Sequence, residues 1–167
     1  MGEHLLFNPD GPALSVLPAT PSQVCTLMMA WIPAHPKWDI PRVRGNKSPD
    51  DPRFFDELAA AVQFPYYFGE NWDAVWDCIT DLNWVRGSSF LLIFDSAQHL
   101  LSESDRGFQI LLEVLTHAHD RWHREFADFG THGRQPIAFQ SVLAAEADAV
   151  EVLTQRMNAA NATFARL

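Results

Sequence analysis

Phe90-Leu91-Leu92-Ile93-Phe94 is an unbroken run of five apolar residues. It is too short for a buried helix and lacks the alternation of a half-solvated strand. That pattern suits a strand covered on both faces, which belongs in a parallel sheet with helices above and below. A parallel neighbour needs a long crossover, and the segments on either side are long enough to supply one.

Other elements follow from local chemistry. Residues 1–37 are rich in Pro and poor in helical periodicity; within them Ala13–Leu17 reads as a weak strand and Met28–Ile32 as a short buried one. Ile40–Arg44 is extended and stops at the turn signal Gly45-Asn46. Pro52 sits in the first turn of a helix to about Gln63, with Phe55, Leu58, Ala59 and Val62 on one face, and Pro65 ends it. Phe64-Pro65-Tyr66-Tyr67-Phe68-Gly69 is too bulky and too broken by Pro and Gly for a regular element. Phe64 and Phe68 are read as packing residues there, and the Tyr67 phenol as exposed. A second helix is predicted from Asn71, a plausible N-cap, to Leu82, and a long one from Asp105 to Phe126. Pro136–Phe139 is a last short strand, and Glu146–Arg166 a C-terminal helix. Strands alternating with helical crossovers make an α/β domain, and no linker divides residues 1–167.

Composition narrows the partners. Twelve Lys and Arg against 21 Asp and Glu give a net charge of −9, which disfavours phosphate backbones and anionic membranes and favours a basic protein. Only Cys25 and Cys78 are present, 53 residues apart, which argues against a disulfide scaffold and fits a reducing compartment. The N-terminus has no basic, apolar leader pattern, so a cytoplasmic location is expected.

The charges are also unevenly placed. Between Arg53 and Arg86 there is no Lys or Arg, yet Asp56, Glu57, Glu70, Asp73, Asp77 and Asp81 lie there. At helical pitch Asp73, Asp77 and Asp81 fall at about 0°, 40° and 80°. Trp72, Val75, Ile79 and Leu82 fall at about 180–260°, with Trp76 on the border near 300°. One face is core and the other a row of carboxylates, each i,i+4 pair of which costs a few tenths of a kcal/mol. Aromatics bordering such a row suit a protein-binding surface.

The segment Phe64-Pro-Tyr-Tyr-Phe-Gly-Glu-Asn-Trp-Asp-Ala-Val-Trp-Asp-Cys-Ile-Thr-Asp81 closely resembles the signature of the barstar family, intracellular inhibitors of secreted ribonucleases such as barnase. The resemblance implies a three-stranded parallel sheet packed against helices over about residues 40–142. Residues 1–37 would add N-terminal strands and 143–167 a C-terminal helical extension. It further implies that acidic groups fill a cationic nuclease site, with Asp77 as anchor and Asp73 as second carboxylate. Tyr67 would pack over the catalytic region, and Gly69, Asn71, Trp72 and Trp76 would shape or line the surface. The family completes its acidic site with a Glu on the long helix, where this chain carries His117, with Glu113 one turn earlier. On this reading the chain is no enzyme, needs no cofactor or metal, is monomeric when free, and binds a basic ribonuclease or nuclease toxin.

Two alternatives stay open. The acidic face could serve a non-ribonuclease partner, as a binding module or immunity protein. His117, His119 and His123 could also hold a metal, since His119 and His123 have i,i+4 spacing. Against that, His119 continues the stripe between Leu115 and Trp122, the place of a core histidine. The chain also has no HExxH, nucleophile elbow or Gly-rich phosphate loop.

Overall fold

The computed structural model describes residues 2–85, 87–128 and 137–167. In chain order these form α1 (Glu3–Leu6), β1 (Leu14–Pro18), α2 (Pro21–Ala34), β2 (Trp38–Asp39), β3 (Arg42–Arg44), α3 (Asp51–Val62), α4 (Trp72–Asp81), β4 (Ser89–Asp95), α5 (Asp105–Asp128), β5 (Phe139–Ala145), α6 (Val150–Ala159) and β6 (Ala165–Arg166). Six strands make one parallel sheet in the order β2-β4-β5-β1-β6, with β3 on the same edge of β4 as β2.

The apolar run lies in β4 and faces both ways. Phe90, Leu92 and Phe94 enter a large core shared with α3, α4, α5 and α6. Leu91 and Ile93 enter a second core with Leu6, Val24 and Trp31. Successive strand side chains point to opposite faces, so a strand covered twice must be apolar at every position. The N-terminal segment therefore completes the fold, since α1 and α2 cover the face of the sheet that α3–α6 leave bare.

Two expectations are corrected. Met28–Ile32 is part of helix α2, not a buried strand. Thr20 accepts from the Gln23 amide at 3.3 Å while Gln23 accepts from the Thr20 amide at 2.8 Å, a reciprocal cap with Pro21 opening the helix. Only Val24 and Trp31, two turns apart, are buried, whereas Met29 is 78% and Ile32 51% exposed. The C-terminal segment is likewise more than a helix: α6 ends at Ala159, and the chain returns to add β6 beside β1. Pro136 lies outside the described residues, and the last long strand runs Phe139–Ala145, buried throughout.

At the carboxyl end of the sheet Arg42 ion-pairs with the buried Asp95, fastening β3 to β4. Gly45 lets the chain turn there, since a Cβ would stand 2.5 Å from the Ser96 carbonyl oxygen.

Candidate functional site

The acidic row stands on α4, and its geometry begins with the cap. Asn71 accepts from the Ala74 amide at 2.9 Å and donates to the Gly69 carbonyl at 3.0 Å. Gly69 makes room for this: a Cβ would sit 3.1 Å from Asn71 Nδ2. Glu70, at φ 50°, takes the left-handed turn into the helix. Gly69 and Asn71 thus set the angle between the aromatic loop and α4.

From that start, Val75, Cys78 and Ile79 turn into the core while Asp73, Asp77 and Asp81 stay exposed. Among the described residues Asp73 and Asp77 have no ion-pair partner, and Asp81 accepts from Asn83 at 3.1 Å. Burial, together with the nearby charges of Asp77 and Asp81, pushes the Cys78 thiol up from its ordinary pKa. Cys78 is thus a buried packing residue held as the thiol.

The preceding loop divides its aromatics by side. Phe64 and Phe68 meet edge to face at 4.9 Å and pack on the core. Tyr66 and Tyr67 are both exposed and touch one another at 5.6 Å. Sequence reasoning misses Tyr66, because nothing in the Tyr-Tyr pair says which ring turns outward.

Trp72 is largely a packing residue. It stacks on Phe54 at 5.3 Å, meets Phe55 edge to face, and donates from Nε1 to Asp51 at 3.3 Å, leaving only part of the ring to solvent. Trp76 borders the carboxylates and is half-buried. His117 and Arg121, both exposed, approach it from α5: the imidazole edge to face at 6.4 Å, the guanidinium 5.9 Å from the ring centroid. Arg121 lies far from α4 in sequence, so a scan along the chain misses this cation. Glu57 also gains a countercharge: Arg44 forms a fork with it at 2.7 and 2.8 Å, and these bonds hold its carboxyl below the usual glutamate range.

The three histidines do not converge. Two residues apart on a helix point about 200° apart, so His117 faces α4 while His119 faces β5, its Nδ1 2.7 Å from the Phe139 carbonyl oxygen. His123 stacks beside His119 and lies 3.8 Å from Asp10. Among the described residues no three His, Cys, Asp or Glu side chains gather as a metal-holding group.

The exposed carboxylate row and the aromatic loop lie within residues 38–144, which match the model of Barstar (barnase inhibitor). The chain belongs to the barstar family. The barstar match starts at β2 and stops within β5, so α1, β1, α2, α6 and β6 lie outside it. Among curated proteins none matches the chain. Solved structures resemble it in fold. The Aeropyrum pernix ORC2 protein in its ADPNP–ADP complexes superposes with a TM-score of 0.56 at 12% identity, over 92% of this chain and 41% of that one. The Drosophila ORC bound to AT-rich DNA and Cdc6 gives 0.50 at 11%, over 90% and 47%. The barstar-family chain thus spans less than half of either, and the likeness is one of architecture. Among the described residues no helix is long and apolar enough to cross a membrane.

Proposed function

We propose that this chain binds and blocks the cationic active site of a ribonuclease, a barnase-like enzyme or a toxin nuclease, through α4 and the loop before it. The observation that carries the reading is the exposed row of Asp73, Asp77 and Asp81 beside exposed Tyr66 and Tyr67, in a member of an inhibitor family. A site built to hold phosphate is cationic, and carboxylates on a rigid helix are complementary to it. Asp77 is the anchor and Asp73 the second carboxylate. Tyr67 packs over the catalytic cleft, with Gly69 and Asn71 shaping the approach and Trp72, Trp76 and His117 bordering it. No catalytic role falls to any residue of this chain. A −9 protein is also drawn to a cationic enzyme at long range, which speeds association at low salt; the barnase–barstar pair itself is the reference case for this effect.

The test is affinity capture with paired baits, wild type and Asp73→Asn/Asp77→Asn, followed by RNA cleavage assays on the captured protein and on barnase. The expected result is a basic ribonuclease retained by wild type alone and inactive in the complex. Asp77→Ala should weaken that complex by about 2–5 kcal/mol, since it leaves partner cations buried and unpaired. A partner held equally by both baits overturns the proposal. A partner lost with the carboxylates but devoid of nuclease activity makes the chain an acidic binding module instead.

A further inference from the structure

Residues 11–36 contain no Asp, Glu, Lys or Arg, in a chain that is 20% charged and carries a net charge of −9. Helix α2 lies wholly inside that stretch, so its outer face meets solvent without charge. With Met29 at 0°, helical pitch puts Ser22, Cys25, Thr26, Ile32 and Pro33 within about 60° of it, and Val24 and Trp31 near 200–220°, on the buried side. Met29 and Ile32 are the large apolar side chains that the outer face exposes. Loss of charge together with exposed Met is the composition of the centre of a protein interface rather than of a solvated helix. The helix also precedes the family match, which begins at 38.

The face is graded in size along its length. Its amino-terminal half is small, with Ser22, Cys25 and Thr26, and the Thr26 hydroxyl already donates to the Ser22 carbonyl at 3.1 Å, so covering it costs little. Its carboxyl-terminal half is large, with Met29 and Ile32. Two copies packed antiparallel about a two-fold axis near residue 27 set the large half of each over the small half of the other, knob into hole. Antiparallel packing also opposes the two helix dipoles.

We infer that the outer face of α2 is a self-association surface, occupied by α2 of a second copy of this chain. Charge selects that occupant. Two molecules of net charge −9 meet here without bringing like charges into contact, whereas a charged partner finds no counter-ion on this face. Since α2 and α4 pack on opposite faces of the sheet, both acidic rows stay open in the dimer. The helix has 14 residues and is about 21 Å long. The contact therefore belongs to the small interfaces, below about 1,200 Å², and the association is weak. The free chain is then a weak dimer where the family resemblance implies a monomer.

The test is sedimentation velocity of the full chain from about 10 μM to 1 mM, the range in which a weak complex forms, at low and at molar salt. The expected result is a monomer–dimer equilibrium that strengthens with salt, because screening removes the repulsion between two acidic bodies. Met29→Lys should weaken dimerisation about tenfold or more, since the pairing would then bury an unpaired charge, and Met29→Leu should retain it. Ile32→Lys repeats the test at a second position, with circular dichroism confirming that each variant is folded. A chain that stays monomeric at every concentration, or a dimer that both lysine variants leave intact, overturns the inference. So does a monomer that co-sediments with phosphatidylcholine vesicles and loses them in Met29→Lys, which assigns the face to a lipid surface.

Discussion

Trp76 and His117 meet edge to face, ring centroids 6.4 Å apart and planes at 87°, and through this contact the surface of α4 passes onto α5. Arg121 covers the same indole from the next turn of α5. Trp76→Ala removes both contacts and is expected to destabilise the protein by about 1–2 kcal/mol. Asp77→Asn, on the neighbouring exposed position, should stay within about 0.5 kcal/mol. Urea unfolding separates the two, and equal effects would show that Trp76 does not join the helices.

Asp73 and Asp77 repel one another across one helical turn, and among the described residues neither has an ion-pair partner. Neutralising Asp77 by Asn should raise stability by a few tenths of a kcal/mol at low salt, whereas Asp73→Asn should not, because the Asp73 carboxylate in the first turn of α4 is stabilised by the helix dipole. The gain should vanish at molar salt, where screening reaches about 3 Å. A gain indifferent to salt would refute repulsion as its cause.

Glu57 and Arg44 make a pH-dependent tie between α3 and β3. Because Arg44 lowers the folded-state pKa of Glu57, the stabilisation is complete above the ordinary glutamate pKa. It is lost as pH falls through the lowered value. Glu57→Gln should therefore lower the unfolding midpoint at pH 7, and the difference from wild type should close in acid. A deficit that persists undiminished below the carboxylate range would assign it to packing instead.

Arg156 fastens α6 to the start of α5. Its Nη1 donates to the Leu100 carbonyl at 2.6 Å and Nη2 to that of Leu101, while the guanidinium lies 3.8 Å from the centroid of Phe108. Burial holds its pKa below the ordinary arginine value, with Asp105 at 3.5 Å opposing that effect. Arg156→Ala should cost about 2–3 kcal/mol. Arg156→Lys should recover little, since an ammonium cannot reproduce the planar fork. Full rescue by Lys in thermal unfolding would reduce the residue's part to charge.

The helical state of α2 makes a sharp contrast between neighbours. Trp31→Ala should cost about 3–5 kcal/mol because the ring is buried, whereas Met29→Lys should change stability by less than about 0.5 kcal/mol. In a buried strand both would be severe, and chemical unfolding of the two variants distinguishes the cases.

The α4 site is legible in the sequence because every part of its signal is local. The Asn71 cap, the first-turn Asp73 and the 3.6-residue spacing of core and carboxylate all lie within one short segment, and local chemistry decides them. Residues 28–32 mislead for the same reason. A short apolar run has no period of its own, and the cap that makes it helical begins at Thr20, outside it. The orientation of Tyr66 is equally hidden, since it depends on what packs beneath the loop.

The sequence by itself determined the order of strands and helices from β3 to β5, the two-sided burial of β4 and the separation of charge from core on α4, all consequences of periodicity and nearest-neighbour chemistry. Only the tertiary structure decided what lies beside what. It brought Arg44 to Glu57, Arg121 and His117 to Trp76, and the α6–β6 turn to Glu113. It also joined the two ends of the chain as β1 and β6 in one sheet. Those pairings follow from crossovers that bring distant residues together, and no spacing along the chain encodes them.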